Sequence, residues 1–428
     1  MKLSLYGRLA MALFASLALG LGMTACGGGT IGYLWILGQE STGSVSGQIV
    51  GFKIDDFTGN LTQTARFSET TNGTNPVSLV VKSGGRYVYV LNQGTAPAGG
   101  LGSAPNQGAS IAIFAVGGDG SLTFENSTTS QGYDPVWAQM DNSGTYLYVL
   151  DKYAPNSTAD CIKAGNCNGS ITVFSADPNT GRLTLVQNTQ TIPQDGNPLT
   201  YFLVGQTPLM MSTEGSCLLT LNSDNSISPY SISSSTGQLN FTGPSTQKPV
   251  SGTSTGTTAV SLNSINGNGT YVDITDSGTN YLYPFTLGTN CLLAPAKGNG
   301  VANLGNATNP VYSFIDRSNK YVYVLNQSTT TTAQGTPFSS ITAWTIVPGQ
   351  GGQLAPITNP GSFTVGAGPV CMVEDQSSQY MYISNHNDGT VTGKVFDSTT
   401  GQLSPLTRGS TFTATGQATC LAFSGAVD

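Results

Sequence analysis

The chain has 428 residues, of which nine per cent are charged, with 15 basic against 22 acidic side chains and a net charge of −7. That acidic balance argues against nucleic acid as a partner, because phosphate backbones are held by clustered Lys and Arg. Fifty-five Gly and 21 Pro, with no long helical periodicity, speak against a helical protein and suit many short strands joined by tight turns.

At the start of the chain Lys2 and Arg8 are basic, Leu9 to Leu21 form an apolar run, and Met23-Thr24-Ala25 precede Cys26. This resembles a bacterial lipoprotein signal peptide. The resemblance implies removal of residues 1–25, lipid on Cys26, and residues 26–30 as a short tether. It implies an exported, membrane-anchored protein, with Gly27 in place of Asp favouring the outer membrane over the inner. An ordinary secretory signal is the alternative; the apolar run is too short to favour a transmembrane helix. Cleavage would leave 13 basic against 22 acidic residues, a net charge of −9.

Residues 31–428 are organised by a repeat. Pro76 to Asn92 reads as an apolar strand, a polar turn from Lys82 to Arg86, and an alternating Tyr-Val-Tyr-Val-Leu-Asn strand. Pro135 to Asp151, Pro310 to Asn326 and Pro369 to Asn385 repeat it at the same offset. Self-similarity with period-two alternation marks stacked antiparallel sheets.

In chain order, the first module has strands at Tyr33 to Gln39, Gly47 to Ile54 and Leu61 to Phe67, and lacks an opening strand. The second and third start at Asn75-Pro76 and Asp134-Pro135. The fourth starts at Asn197-Pro198 and needs extra residues to reach Asn222. The fifth is degenerate, with Val260 at the Pro position and Asp276 closing its second strand. The sixth and seventh start at Asn309-Pro310 and Gly368-Pro369. Each module has a tight outer turn, for example Pro178-Asn179-Thr180-Gly181 and Thr400-Gly401-Gln402-Leu403, as hairpins with a positive-φ residue require. Gly416 to Phe423 matches an opening strand with no module behind it, and supplies what the first module lacks. The predicted fold is all-β: a seven-bladed propeller closed by the C-terminal strand pairing into the N-terminal blade.

Seven Cys in an exported chain divide into one for lipid and six for three disulfides. Cys161 and Cys167 share one loop, and Cys371 and Cys420 occupy equivalent positions in successive repeats. By elimination Cys217 would meet Cys291. For Cys371 and Cys420 the alternative is two buried thiols.

The connections between second and third strands at Gln93 to Ala109, Lys152 to Gly169 and Gln327 to Ser339 are long, and long loops are more often functional than connective. They meet a rim that carries Asp134, Asp151, Lys152, Tyr153, Asp195, Asn222, Asp276, Asn326 and Asn385, read here as candidate ligand-binding positions. His386, the only histidine, is the candidate proton shuttle, with Asp388 or Asp151 as orienter. Turn capping by the same Asn, Asp and His positions is the alternative. No metal site or cofactor is expected; Asp151 and Asp276 are of the kind that hold a hard cation in a channel, if one is bound.

The Asn-Pro start, the Arg/Lys-Tyr-Val-Tyr-Val-Leu-Asn strand, Ile171-Thr172-Val173-Phe174 and Asp177 to Leu183 together resemble the seven-bladed lactonase family, which includes 6-phosphogluconolactonase-like proteins and carboxymuconate cyclase. The resemblance implies lactone ring opening at the channel rim by His, Glu and Arg groups. Two readings follow. One is a lipid-anchored, monomeric binding propeller for a glycan, small molecule or envelope protein; the other is an exported lactonase with His386 as base.

Overall fold

The computed structural model describes residues 29–39, 46–95, 106–188, 199–243, 261–298, 300–304, 307–331 and 337–425. Residues 1–25, Cys26, Asp195, Asn197 and Val260 lie outside them. The described strands form seven antiparallel sheets of four strands, some with a short fifth segment on the outer side. Their first strands pack around one another in chain order, so the sheets are the blades of a ring. Gln417–Gly425 pairs with Thr30–Gln39 and becomes the inner strand of blade 1, as the repeat predicts.

The inner strands of blades 2, 6 and 7 start at Pro76, Pro310 and Pro369 and that of blade 3, Tyr133–Met140, carries Pro135, each Pro paired with the residue sixteen positions later. The residue before each Pro has positive φ: Asn75 54°, Asp134 53°, Asn309 55° and Gly368 68°. Asn, Asp and Gly are the residues that tolerate this region, which explains the recurring dipeptide without a ligand.

Blades 4 and 5 correct the expected register. Blade 4 begins at Pro208, paired with Asn222, and blade 5 has Leu262 paired with Asp276. Phe202–Val204, which the sequence places in blade 4, instead pairs with Gly169–Ala176 of blade 3. The reason lies in the inner hairpins. In blades 3, 6 and 7 a carboxylate (Asp141, Asp316, Asp375) accepts backbone N–H groups across a wide turn. Blade 2 keeps the wide turn with Lys82 at that position, whereas blades 4 and 5 turn more tightly through Gly215 and Gly269, so each inner strand starts two residues closer to its partner.

The Tyr ladder connects neighbouring blades. Tyr89 of blade 2 donates to Gly181 O of blade 3, Tyr148 to Gly237 O of blade 4, Tyr323 to Gly401 O of blade 7, and Tyr382 to Gly59 O of blade 1. The first Tyr of the same strands also reaches the next blade's turn, as Tyr146 does to Ser235 O and Tyr321 to Thr399 O. Its ring lies against the turn glycine. A Cβ on Gly59 or Gly401 would sit 2.3 or 2.4 Å from the ring of Tyr380 or Tyr321, and both glycines have positive φ. Two separate constraints therefore demand Gly there.

In blade 4 the first ladder position is Cys217, and its partner is Cys291 in the outer turn of blade 5. A covalent bond takes the place that a Tyr hydrogen bond fills elsewhere. In blade 5 the second ladder position is Asp273, buried between blades with Oδ1 unpartnered.

Tyr382→Phe removes one buried hydrogen bond and is expected to lower unfolding free energy by about 1 kcal/mol. Cys217→Ser with Cys291→Ser should cost about 3 kcal/mol while leaving the fold intact. Urea denaturation of the two variants checks this, and a disulfide loss no larger than that of the Tyr variant would contradict it.

Candidate functional site

Residues at the end of each second strand do not face the channel. Asn92, Asp151, Asn222, Asp276, Asn326 and Asn385 are all fully buried. The channel is lined by first strands, and a second strand lies about 4.8 Å further out, so these side chains serve their own blades. Asn222 donates to Ser226 and Ser228, Asn385 to Thr390 and Thr392, and Asn326 to Thr342 while receiving Asn303. Asp151 accepts from Gly132 N, Ser170 and Thr172, and Asp276 from Ser261 N, Gly278 N and Thr279. Among the described residues, no group of three His, Cys, Asp or Glu is placed to hold a metal ion.

Other rim candidates are also committed to structure. Asp134 accepts Asn106 N, and burial raises its pKa. Lys152 Nζ stands 5.2 Å from the Tyr153 ring centre in a cation–π contact, and Tyr153 packs into a small cluster with Ile162 and Cys167. That cluster roots the short helix Ala159–Ala164, capped by Thr158 and Gly165 and closed by the Cys161–Cys167 disulfide. Both disulfides fit an oxidising, extracytoplasmic compartment. No helix among the described residues is long and apolar enough to cross a membrane.

His386 is different. It follows the seventh blade's second strand, and its backbone N–H donates to Gly368 O. Its Nδ1 lies 3.0 Å from Ala418 O on the closing strand. A carbonyl oxygen can only accept, so Nδ1 carries the proton in the neutral ring and Nε2 carries the lone pair. The expected carboxylate orienters do not fill that role. Asp388 caps its own turn, accepting from Thr390 and from Ala367 N, and Asp151 is in blade 3. A backbone carbonyl orients the ring instead. His386 borders a cavity of about 170 Å³ with Val77, Trp137, Val370, Cys371, Thr419 and Cys420.

A larger cavity of about 390 Å³ occupies the channel and takes residues from all seven blades. Trp137, Cys371 and Cys420 border both spaces. At its far end Arg317 N donates to Glu374 Oε2 at 2.8 Å, and the guanidinium lies 3.5 Å from Glu374 O. Glu374 and Arg317 are not among the sequence candidates, and Arg317 stands in the inner-hairpin turn of blade 6. Glu374 and Glu214 each end an inner strand, where a charged residue closing an apolar run is the one sequence signal that marks them. Neither belongs to the repeated motif. Glu214 is buried, accepts Ser212 Oγ and Gly269 N, and burial pushes its pKa to about 7.

Burial likewise raises Asp151 to about 7 and Asp273 to about 8. The folded protein then holds protons that the unfolded chain releases above roughly pH 4. Because the native state binds more protons across that window, stability falls as pH rises from about 4 to about 8. Melting temperature is expected to decline over this range, and Asp273→Asn to flatten the decline. A melting temperature that rises from pH 5 to pH 8 would contradict the assignment.

Against known proteins, the family described as "Lactonase, 7-bladed beta-propeller" matches residues 36–159. No curated protein sequence matches the chain. Among solved structures, a proposed 6-phosphogluconolactonase from Bacteroides uniformis superposes with a TM-score of 0.65 at 16% identity, covering 92% of this chain and 100% of the other. A second, from Bacteroides fragilis, gives 0.64 at 16% identity, with 92% and 98% covered. The Pseudomonas aeruginosa periplasmic gluconolactonase PpgL gives 0.61 at 14% identity, with 92% and 99% covered. At these identities the superpositions establish the fold, and the chain is a seven-bladed β-propeller that resembles the lactonase family.

Proposed function

We propose that this chain is an exported, lipid-anchored propeller that binds a small uncharged sugar or sugar lactone at the channel mouth beside His386. The carrying observation is His386 itself: it is only half-buried and its Nε2 lone pair is unspent, whereas the repeated Asn and Asp positions are fully buried and bonded to groups of their own blades. The other residues around the cavity carry no positive charge, which disfavours a phosphorylated ligand. Trp137 and the Val side chains offer an apolar face of the kind on which a sugar ring stacks.

Lactone hydrolysis is the second reading, favoured by the same lone pair and by the family match. Nε2 would take a proton from water as its oxygen attacks the lactone carbonyl, and the proton would return to the alkoxide as the ring opens to a hydroxy acid. Such a step needs a donor for the developing oxyanion. The cavity's hydroxyl, Thr419, already donates to Pro76 O, which leaves the unpartnered Trp137 Nε1–H as the nitrogen donor on the lining.

Calorimetric titration of the mature chain with neutral and phosphorylated sugar lactones and their parent sugars tests both readings. Binding of the neutral compounds, weakened about tenfold in His386→Ala while the variant stays folded with at most a small fall in melting temperature from the lost bond to Ala418 O, is expected. Equal affinity in the variant would remove the site, and acid release lost in the variant would promote the lactonase reading. For the anchor, labelled palmitate should enter the wild type and not Cys26→Ser; equal labelling would exclude Cys26.

A further inference from the structure

Cys371 and Cys420 are the two free cysteines among the described residues, and both are buried. They stand on neighbouring inner strands, Pro369–Glu374 of blade 7 and the closing strand Gln417–Gly425 of blade 1, with sulfurs 3.0 Å apart. The other described cysteines are already joined in two disulfides. Those two bonds lie away from the channel. This pair borders both the cavity at His386 and the larger channel cavity, so a small molecule entering the channel from either side reaches it. Both sulfurs are recessed inside the ring, with Cys371 4% and Cys420 8% exposed, which favours a small molecule as the oxidant.

Either thiol can donate to the other, and what distinguishes them is a neighbour: the Tyr312 hydroxyl of blade 6 is hydrogen-bonded to Cys371 and not to Cys420. The Cys420 thiol, hydrogen-bonded to Cys371, is the largest influence holding Cys371 below the usual thiol range, and the Tyr312 hydroxyl from blade 6 adds to it. Cys420 is pushed up by the same contact and by burial. The lower-pKa sulfur is the better populated nucleophile, and the neighbour is placed to resolve.

We propose that Cys371 and Cys420 form a reversible redox site in the channel, oxidised by a small-molecule disulfide to a bond that ties the closing strand to blade 7. The Cys371 thiolate attacks one sulfur of the small disulfide, forming a mixed disulfide and releasing one thiolate. Cys420 then loses its proton and attacks Cys371 Sγ, expelling the second. Two protein thiols and one small disulfide become one protein disulfide and two small thiols, so protons and electrons balance. The bond crosses the joint between blades 7 and 1, as Cys217–Cys291 crosses that between blades 4 and 5.

Mass spectrometry of the mature chain tests this, after mild reduction, incubation with cystine or oxidised glutathione, and alkylation in denaturant. Two alkylated cysteines before oxidation and none after, with peptides linked between Cys371 and Cys420, are expected, together with a rise in melting temperature of about 5 °C that a small thiol reverses. Cys420→Ser should instead accumulate a mixed disulfide on Cys371, and this readout survives even if Cys371→Ser fails to fold. Two thiols still alkylatable after oxidation of folded protein, or a persistent mixed disulfide in the wild type, would overturn the proposal. So would a bond that small thiols cannot reopen in the folded protein.

Discussion

The contact on which the molecule depends is the one from each blade's second strand to the outer turn of the next blade. A blade is stable along its own strands through backbone hydrogen bonds, but those bonds do nothing to hold one blade beside another. The Tyr pair does both jobs at that boundary: its rings fill the space between sheets, and its hydroxyls satisfy turn carbonyls that would otherwise be buried without a donor. Burial raises the pKa of Tyr89, Tyr148, Tyr323 and Tyr382, so each stays a neutral donor across the physiological range.

The turn glycine and the Tyr are therefore one unit written in two places on the chain. Tyr380 of blade 7 lies on Gly59 of blade 1 across the seam where the ring closes. Where the unit is altered, the substitute keeps the connection in another form, as Cys217 and Cys291 do, or leaves a cost, as Asp273 does. Blades 4 and 5 carry these changes together with their shortened inner hairpins. The departures from the repeat are concentrated on one side of the ring, and the structure offers no physical reason for that grouping.

Function depends on what the repeat leaves over. Conformation takes up much of the recurring Asn and Asp: the residue before the Pro of blades 2, 3, 6 and 7 needs positive φ, and Asp151, Asn222, Asn326 and Asn385 bind hydroxyls of their third strands. His386, Arg317, Glu374, Trp137 and the Cys371–Cys420 pair are outside that economy, and each borders the channel. A propeller separates scaffold from site in this way because its first strands alone face the axis.

The sequence by itself determined the blades, the closing strand, two of the cysteine pairings and the prominence of His386. The blades and the closing strand rest on local periodicity, Cys161–Cys167 on nearness in one loop, Cys217–Cys291 on elimination, and His386 on being the only histidine. It misplaced the starts of blades 4 and 5, because hairpin length varies without disturbing the alternation that marks a strand. Tertiary structure alone decided which polar residues face the channel and which are sealed in a blade, since both kinds stand at strand ends and look alike in the chain. It likewise decided that Ala418 O orients His386 and that Arg317 meets Glu374. Those pairs join residues from neighbouring blades: the closing strand brings Ala418 to His386, and the packing of blade 6 on blade 7 brings Arg317 to Glu374.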